Sequence, residues 1–598
     1  MAGFSSMGPN IITPDIIKPD VTAPGVNILA AWSPIATQFT AGRTLDYNII
    51  SGTSMSCPHV SAVAAIIKSC HPSWSPAAIK SAIMTTATVL DNTRNFIKRN
   101  PSGTQTTPFD YGSGHINPVA AINPGLIYYF DSSNIIDFLC STGASSAQLK
   151  NLTGKLTHCK NPPKPSYDLN YPSIGVSNMN GSLLVHRTVT YYGEGATIYR
   201  AQLEYPSNVN VTVTPNELKF AEFGEKISFR IDFTPYKSSN GSFVFGALTW
   251  SNGIHRHYIA NMGHHSHPNS ESVITENHEV LASVVGSIDG AQEVAVHHYT
   301  KSFRGFSAML TTDQTQRLAE RNSVVSVFES RMNKIHTTHS WQILGIDYIQ
   351  QYNQLPMEVK SNVIVGVIDT GVWPESHSFS DSGLGPVPKK FKGGCVTGDA
   401  FTSSNCNRDS DGHGTHTAST VAGSPVANAS LLGIGGGSAR GGAPCARLAI
   451  YKACWFGGCS AADILSALDD AIDDGVDILS LSLGPLPPLR SYFEDPISIG
   501  TFHAFQKGIL VSASGGNFFF PGTATNVAPW ILTVGASSMD RELQSNIYLG
   551  NSKIIRGFGL NPQKMESYYS LIAGSAAAAL GIPPRNARYI LFCEKILA

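Results

Sequence analysis

One hexapeptide, Val363-Ile364-Val365-Gly366-Val367-Ile368, constrains the fold of this chain more than any other stretch. It carries no polar side chain, which is typical of a parallel strand that is buried on both faces. Similar apolar runs follow it, and helical patterns such as Ala461–Asp474 separate them. This alternation predicts an α/β fold with a doubly wound parallel sheet. The later strands are predicted at Leu448–Tyr451, Ile478–Leu483, Ile509–Ser512 and Ile531–Val534.

The first 130 residues have the same α/β texture. Val26–Ala31 is a short apolar run that predicts a strand, and Pro19–Gly25 before it predicts a loop because it contains two prolines and a glycine. The segment Ser75–Met84 begins with a serine followed by proline, which is typical of a helix N-terminus. We therefore interpret these residues as the end of an α/β domain.

Between the two ends the texture changes twice. From about Ser166 to Arg256, short alternating runs separated by turn residues predict a β-sandwich. Residues 257–336 begin with a polar, histidine-rich stretch and then combine predicted helices and a strand. The sandwich runs are Leu183–Thr190, Val209–Val213, Ile227–Ile231 and Phe243–Trp250, and the later elements are helices at Glu279–Val285 and Gln314–Glu320 and a strand at Val324–Phe328.

The histidine-rich stretch His264-His265-Ser266-His267 suggests a metal site at first sight. No further ligand lies at helical or hairpin spacing from it, however, and metal sites need several ligands in a defined geometry. We therefore interpret this stretch as a solvated loop.

The charge balance excludes two classes of partner. Among 598 residues, 14% are charged and 42% are hydrophobic, and the net charge is -1. A chain so close to neutral gives no indication of a nucleic-acid or membrane partner, and no run approaches the length of a transmembrane helix. Residues Met1–Ile12 lack the basic and apolar regions of a signal peptide.

Other features point to the secretory pathway, in conflict with the missing signal peptide. Three cysteine pairs have the spacing of local disulfides, with free buried thiols as the alternative: Cys140 with Cys159, Cys395 with Cys406, and Cys454 with Cys459. Five Asn-x-Ser/Thr sequons occur, at Asn151, Asn180, Asn210, Asn240 and Asn428. Disulfides and clustered glycosylation sequons are both typical of secreted proteins.

The stretch Gly52–His59 carries the first chemical signal. Its small-residue turn places the hydroxyl of Ser54 at the start of a predicted helix. The free N–H groups and the dipole of a helix N-terminus stabilise negative charge that develops beside them. A serine attacks only when a base takes its proton and a carboxylate orients that base. Because most Gly-x-Ser sequences are only turns, Ser54 is a candidate nucleophile only if such partners exist.

Two later motifs supply these partners. Asp369 follows the buried strand at its carboxyl end, where open α/β sheets place their sites. His413 lies between two glycines, with His416 three positions further on. The two histidines also allow a metal-binding interpretation, but no zincin-type glutamate accompanies them. We favour a triad in which His413 is the general base for Ser54 and Asp369 holds the tautomer of His413.

These motifs resemble the signatures of the subtilisin-like serine peptidases. The resemblance rests on Asp369-Thr370-Gly371, His413-Gly414-Thr415-His416 and Gly52–His59, and further details resemble the plant members, including Val372–Ser376 and Asn526–Trp530. It covers nearly the whole chain. It implies a serine endopeptidase that acts on proteins or peptides without a cofactor or a metal, and an extracellular location in the apoplast or cell wall.

The resemblance also assigns domains. Residues 1–130 resemble the C-terminal half of the catalytic domain, which carries the serine, and residues 337–598 resemble its N-terminal half, with the aspartate and the histidine. Residues 131–165 connect the first half to residues 166–256, which resemble a fibronectin-III-like β-sandwich. Residues 257–336 resemble the inhibitor-type propeptide of the family, which is implied to assist folding and to cap the site as an intramolecular inhibitor.

The family further implies an oxyanion-hole asparagine and a substrate-binding strand. Asn517 is the candidate for the asparagine, in a run that departs from the family by one inserted residue and by Phe518–Phe520. Losing one such donor lowers turnover by about 10²–10³-fold. The run Ser482-Leu483-Gly484 resembles the edge strand that pairs with extended substrate, and an ordinary buried strand end is the alternative.

The order of the motifs departs from the family, in which aspartate and histidine precede serine. Here Ser54 comes before Asp369 and His413, and the protease-associated insert of the family is absent. One explanation is a circular permutant, which exposed chain ends tolerate. The other is a fusion of neighbouring duplicated genes, or a gene model that spans them. We favour the fusion, because it also explains the missing signal peptide and the abrupt join near His255–His257.

The order has a consequence for processing. The resemblance implies self-cleavage before Thr337, after His336, and in this chain that cut parts Ser54 from Asp369 and His413. The two pieces keep a triad only if they stay docked, and they lose the effective concentration of a covalent link. We therefore expect little or no stable activity after the cut.

A non-enzyme is the alternative function. In that interpretation the propeptide-like residues 257–336 act as an inhibitor or folding module for related peptidases. Its basis is an intact propeptide-like segment beside a catalytic domain whose halves are in swapped order.

Overall fold

The protein is described from a computed structural model. The description covers residues 1–36, 44–239, 241–253, 256–263, 269–301, 304–329, 339–394, 408–455, 458–549 and 551–560. The histidine-rich stretch at 264–267, the pair Cys395–Cys406 and the expected cut after His336 lie outside these residues. Residues 1–431 and 436–539 form one compact unit, and the hairpin of residues 544–558 belongs to a second unit.

Strands and helices are numbered in chain order. The strands are β1 (Val21–Pro24), β2 (Ile28–Ala31), β3 (Tyr47–Ile50), β4 (Leu126–Tyr128), β5 (Leu183–Tyr191), β6 (Thr197–Glu204), β7 (Val209–Thr214), β8 (Glu217–Phe220), β9 (Lys226–Pro235), β10 (Ala247–Ser251), β11 (Arg256–Asn261), β12 (Ala295–Tyr299), β13 (Gly305–Leu310), β14 (Ser326–Glu329), β15 (Ile364–Asp369), β16 (Val426–Leu431), β17 (Ile434–Ala439), β18 (Arg447–Lys452), β19 (Cys454–Trp455), β20 (Gly458–Cys459), β21 (Ile478–Leu481), β22 (Leu510–Ser514), β23 (Ile531–Ser537), β24 (Gln544–Tyr548) and β25 (Ile554–Phe558).

The helices are α1 (Thr53–Cys70), α2 (Pro76–Thr85), α3 (Pro108–Tyr111), α4 (Pro118–Ala121), α5 (Ser132–Ser141), α6 (Ser146–Thr153), α7 (Ser270–Val285), α8 (Ile288–Val294), α9 (Thr312–Ala319), α10 (Ser340–Ile343), α11 (Gln350–Gln354), α12 (Met357–Lys360), α13 (His413–Ala422), α14 (Ala461–Asp474) and α15 (Pro496–Gln506). Short 3₁₀ turns occur at Ser166–Asp168, Ile346–Tyr348 and His377–Phe379.

A parallel sheet forms the centre of the larger unit, as the sequence predicts. Among the described residues its strand order is β1-β23-β22-β21-β15-β18, and every pair in it is parallel. Five of these strands come from residues 337–598, here called the last segment, whereas β1 comes from residues 1–130, here called the first segment. The sheet is therefore completed by two segments that are more than 300 residues apart in the sequence.

The predicted loop at Pro19–Gly25 was wrong. Val21–Pro24 within it is strand β1, which pairs with β23 from Val21↔Val534 to Pro24↔Ser537. Proline lacks the N–H that a central strand needs, but an edge strand has a side that makes no ladder bonds and so accepts proline. The residues that suggested a loop therefore fit the edge of the sheet.

One hydrophobic core joins the two segments. Helix α1 packs against β21, β22, β23 and β1, and also against α13. Fifteen of its 18 residues are buried, and side chains such as Val60 and Ile66 belong to the same core as Leu479 and Val511 of the sheet. The first and last segments thus fold as one α/β domain.

The predicted β-sandwich is present. Its two sheets have the orders β4-β5-β9-β7 and β10-β6-β8, around a core that includes Val185, Leu218 and Phe229. The strand predicted at Phe243–Trp250 begins only at Ala247, because the rings of Phe243 and Phe245 instead contact Phe109, with ring centroids 4.8 and 5.1 Å away. Strand β4 enters this sandwich from the first segment.

The following segment has the predicted α+β composition. Strands in the order β12-β13-β11-β14 form a sheet, and helices α7, α8 and α9 accompany it. Residues such as Leu281, Phe306 and Leu318 form its own core. The segment is therefore a small domain with a core of its own.

Two of the predicted disulfides are confirmed, Cys140–Cys159 and Cys454–Cys459. Four of the predicted sequon asparagines are described, and all four are exposed: Asn151, Asn180, Asn210 and Asn428. In the part of the chain that the structure covers, no helix combines the length and the apolar character needed to cross a bilayer.

Candidate active site

Ser54 is the second residue of α1, directly after the turn that the sequence predicted. Gly52 precedes the helix in an extended conformation, and the Thr53 N–H donates to Oδ1 of Asn517 at 2.9 Å. Asn517 therefore caps a helix whose own N-cap residue has no side chain to do so. The cap comes from the last segment, while Ser54 comes from the first.

Pro58 explains how the backbone of Ser54 is held. A proline inside a helix has no N–H, so the carbonyl four residues earlier loses its helical donor. That carbonyl belongs to Ser54, and it accepts a hydrogen bond from the Ser482 hydroxyl at 2.7 Å. The Ser54 hydroxyl in turn donates to the Ser482 carbonyl at 3.0 Å. Two reciprocal bonds thus fix Ser54 against the end of β21.

Asp369 and His413 form a second pair. Asp369 is the last residue of β15 and is buried, and its Oδ1 lies 2.7 Å from Nδ1 of His413, the first residue of α13. Oδ1 also accepts from the Thr370 N–H at 2.8 Å, and Oδ2 accepts from the Thr417 hydroxyl at 3.1 Å. With Nδ1 bound to the carboxylate, Nε2 is the ring nitrogen available for chemistry.

Nearby carboxylates determine the charge of His413. Burial alone would lower the pKa of this histidine, but Asp369, through its charge and its hydrogen bond, and then Asp411 and Asp409 raise the pKa to about 9. A charge within a few ångströms in a partly desolvated site outweighs burial in this way. The pair is therefore arranged to stabilise the imidazolium form.

Asp409 is a positioning residue that sequence reasoning missed. It is fully buried, and its carboxylate accepts from the Gly412 N–H at 2.8 Å and from the Thr415 N–H at 2.9 Å, at the start of α13. It also accepts from the Thr370 hydroxyl at 2.9 Å, next to Asp369. The available signal was an aspartate just ahead of a helix N-terminus, where carboxylates are favoured.

Asn517 lies just beyond β22, beside the turn that carries Ser54. Its Oδ1 accepts from the N–H and, at 3.0 Å, from the hydroxyl of Thr53. The Gly516 N–H donates to the same hydroxyl at 3.1 Å. Since Oδ1 accepts, Nδ2 is the donor of this amide, and it lies 3.5 Å from the position that a Cβ on Gly52 would occupy. The asparagine therefore presents its donor beside the serine turn.

The tripeptide Ser482–Gly484 lies past the carboxyl end of β21, outside any described strand. Strand β21 itself is central, between β15 and β22, and is not at an edge of the main sheet. The Leu483 carbonyl accepts from Nδ2 of Asn526 at 2.8 Å. The resemblance to an edge strand thus concerns this extension and not the strand before it.

His416 has a different environment from His413. It is fully buried, and its Nε2 lies 2.9 Å from the carbonyl oxygen of Ile28 in the first segment. Burial lowers its pKa to about 3, so the ring is neutral near pH 7. Within the described ranges, no group of three or more histidine, cysteine, aspartate or glutamate side chains is arranged to hold a metal ion.

Sequence comparison places this chain in a known family. The sequence model of the subtilase family matches residues 1–114 and 360–570, more than half of the chain. The chain belongs to the subtilase family. Models of the fibronectin type-III domain and of peptidase inhibitor I9 match residues 168–260 and 257–336. The subtilase match falls in two separate parts, in the two segments that complete the parallel sheet.

Plant subtilases are among its relatives. The chain is 62% identical over 372 residues to "Subtilisin-like serine-protease S" of Lotus japonicus, which covers 57% of this chain and 49% of that protein. It is 42% identical over 368 residues to "Subtilisin-like protease SBT4.15" of Arabidopsis thaliana, covering 56% and 47%. The chain spans about half the length of these curated relatives.

Solved structures match more weakly. MycP1 with its N-terminal propeptide removed is 20% identical, with a TM-score of 0.20, over 34% of this chain and 50% of that chain. The epidermin leader peptide processing serine protease of Staphylococcus aureus is 15% identical, with a TM-score of 0.22, over 44% and 60%. Similarity at this level is too low to assign a fold or a function.

Proposed function

We propose that this subtilase is a serine endopeptidase in which Ser54, His413 and Asp369 act as a triad. The observation that carries the proposal is the 2.7 Å bond between Asp369 and His413 at the start of α13, a helix packed against the one that presents Ser54. Asp369 orients the imidazole and stabilises the imidazolium that forms when His413 takes the serine proton. His413 then returns that proton to the leaving amine.

Asn517 supplies the oxyanion donor in this proposal. Its amide is oriented by Thr53, so Nδ2 is fixed before substrate arrives. The N–H of Ser54, in the first turn of α1, is a second donor in the same place, because first-turn N–H groups have no partner within the helix. Fixed donors of this kind stabilise the developing oxyanion without reorganisation.

Substrates are proteins or peptides bound in extended form along Ser482–Gly484. The I9-like domain that follows the sandwich serves as the intramolecular inhibitor. The alternative, in which this domain is the only functional part, receives no support from the comparisons. No cofactor enters the proposed mechanism.

An extracellular location belongs to the same proposal. Disulfides persist in oxidising compartments, and two are formed, Cys140–Cys159 and Cys454–Cys459. Exposed sequons are accessible to glycosylation. Endoglycosidase treatment of the protein secreted from plant cells tests this part, and an unglycosylated, intracellular product would contradict it.

The variant Ser54→Ala tests the function. We expect loss of labelling by a fluorophosphonate and a drop of about 10⁶-fold in peptide hydrolysis, since removing the nucleophile disables the triad as a unit. Ser51→Ala is the matched control, because Ser51 is exposed in the same turn and contacts only Asn27 in the described contacts. Undiminished labelling of Ser54→Ala removes Ser54 from the site.

A further inference from the structure

The contact between residues 1–130 and residues 360–539 is here called the seam. Its first component is backbone pairing. Strand β1 pairs with β23 over four residues, and two further bonds extend the ladder, from the Asp20 N–H to the Thr533 carbonyl and from the Gly25 N–H to the Ser537 carbonyl, both at 2.9 Å. The main sheet thus continues across the seam without a break.

The second component is apolar. Helix α1 lies across the strands of the last segment, and residues such as Val60, Val63 and Ile67 are fully buried. Apolar burial is the largest favourable term in both folding and association. The seam resembles the interior of a domain rather than a wet contact between two surfaces.

The third component is a buried charge cluster. Lys18 and Asp20 are fully buried, and Nζ of Lys18 lies 2.7 Å from the Asp20 carboxylate. Lys18 also donates to the carbonyls of Ala528 at 3.1 Å and Ile531 at 2.8 Å and to the Thr533 hydroxyl at 2.9 Å. The Asp20 carboxylate accepts from the Thr533 N–H at 2.7 Å. The first segment supplies the charged side chains, and the last segment supplies many of the hydrogen-bond partners that replace water around them.

Lys80 extends the cluster. Its Nζ lies 3.2 Å from the Asp20 carboxylate and donates to the carbonyls of Pro529 at 2.9 Å and Ile531 at 2.8 Å. The ring of Tyr171 lies 4.5 Å below this ammonium, and its hydroxyl donates to Asp20. Burying charge is costly unless every charge is paired and hydrogen-bonded. The cluster therefore needs a contact surface that offers these hydrogen-bond partners, as the last segment does.

We propose that the seam is a complete protein–protein interface, which holds residues 1–329 and residues 339–598 together as two separate polypeptides after the chain between them is cut. None of the three components uses the covalent link between the segments. The inference goes beyond the proposed function and does not depend on it. Fragments that stay docked keep Ser54 in one complex with Asp369 and His413, so the expected loss of activity after the cut depends on whether the fragments dissociate.

The test uses the full chain with a site-specific protease sequence inserted between Glu329 and His339, in a Ser54→Ala background that prevents self-cleavage. After complete cutting, the sample is diluted to about 100 nM, well below typical concentrations for weak complexes, and passed through size exclusion. We expect both fragments to elute together at the size of the uncut chain. Elution as separate fragments overturns the proposal.

The variant Asp20→Asn tests the charge cluster. It leaves two buried lysines without their counter-charge, so we expect the cut fragments to dissociate at least ~100-fold faster. Asp473→Asn is the matched control, since the Lys392–Asp473 pair is exposed, with 66% and 81% of the two side chains accessible. The control is expected to dissociate within about twofold of the parent.

If uncut Asp20→Asn fails to fold, Thr533→Val replaces it. This change removes the acceptor of Lys18 across the seam and also the bond from the Thr533 hydroxyl to the Asn526 carbonyl, which lies within the last segment. We expect about tenfold faster dissociation from the loss of one charge-assisted bond. If the fragments of the variant that folds dissociate no faster than those of the parent, the role of the cluster is overturned.

Discussion

His413 is the residue on which the pH dependence of the site rests. Nearby carboxylates, with Asp369 foremost, overcome burial and raise its pKa to about 9. A general base acts when neutral, so we expect kcat/KM to rise with pH along a limb whose inflection lies above the ordinary histidine value of about 6.5. In Asp369→Asn the inflection moves towards 6.5 and kcat falls by about 10⁴-fold. A pH–rate profile of both proteins on one peptide substrate measures this.

The same shift fixes the sign of a stability effect. A histidine whose folded pKa is raised contributes stability that is fully present below about pH 6.5 and is lost as the pH rises through about 9.

Asp473→Asn, at an exposed carboxylate, is the control for the kinetic experiment, and we expect its pH–rate profile to match that of the parent. If the inflection of the pH–rate profile is the same in Asp369→Asn as in the parent, Asp369 is not the group that raises the pKa of His413.

Asn517 has two roles that one pair of variants separates. Asn517→Asp keeps the oxygen that accepts from Thr53 but loses the N–H donor, so we expect kcat to fall by about 10²–10³-fold with little change in Tm. Asn517→Ala loses both, and we expect an added destabilisation of about 1 kcal/mol from the missing cap. Thermal unfolding and steady-state kinetics on the two variants provide the comparison. Equal stability of both variants contradicts the capping role.

At the scale of elements, α1 depends on a proline that propensity alone would disfavour. Pro58 frees the Ser54 carbonyl, and Ser482 from β21 takes the place of the missing helical donor. A residue that costs stability in an isolated helix thereby connects that helix to the sheet.

A double-mutant cycle tests this connection. Ser482→Ala alone leaves the Ser54 carbonyl without its donor, and we expect a loss of about 1 kcal/mol. With Pro58→Ala the helical bond can form, so the second substitution costs less, and the coupling is at least about 0.5 kcal/mol. Chemical denaturation of the parent, both single variants and the double variant gives the value. Additive effects contradict the account.

At the scale of the whole molecule, the swapped order of motifs does not prevent one α/β domain from forming. If the seam holds cut fragments together, it also allows them to exchange between molecules, as in domain swapping. A cut Ser54→Ala protein and a cut His413→Ala protein, each inactive, should then regain activity on mixing.

Random re-pairing restores an intact site in about a quarter of the complexes. Peptide hydrolysis after partial denaturation and refolding of the mixture measures this, and each variant refolded alone is the control. Continued inactivity of the mixture, with co-elution of the fragments intact, contradicts exchange between molecules.

The sequence by itself determined the class of fold and the candidate triad. Apolar runs such as Val363–Ile368 report burial on both faces directly, and short motifs around Ser54, Asp369 and His413 report their local turns, because both signals lie within a few residues. Ala461–Asp474 was predicted as a helix and has the same bounds in the structure. Such local signals do not depend on the order in which the segments occur.

Only the tertiary structure decided which segments meet. The strand at Val21–Pro24 was predicted as a loop because proline tolerance depends on being at a sheet edge, which no local pattern records. The Ser482 hydroxyl was missed for the same reason, since its partner Ser54 lies 428 positions away. Asp409 differs, because its place just ahead of α13 was a local signal that was not used. The buried side chains of Lys18, Asp20 and Lys80 likewise form hydrogen bonds with residues about 500 positions away. Only the packing of the two segments brings these hydrogen-bond partners within reach.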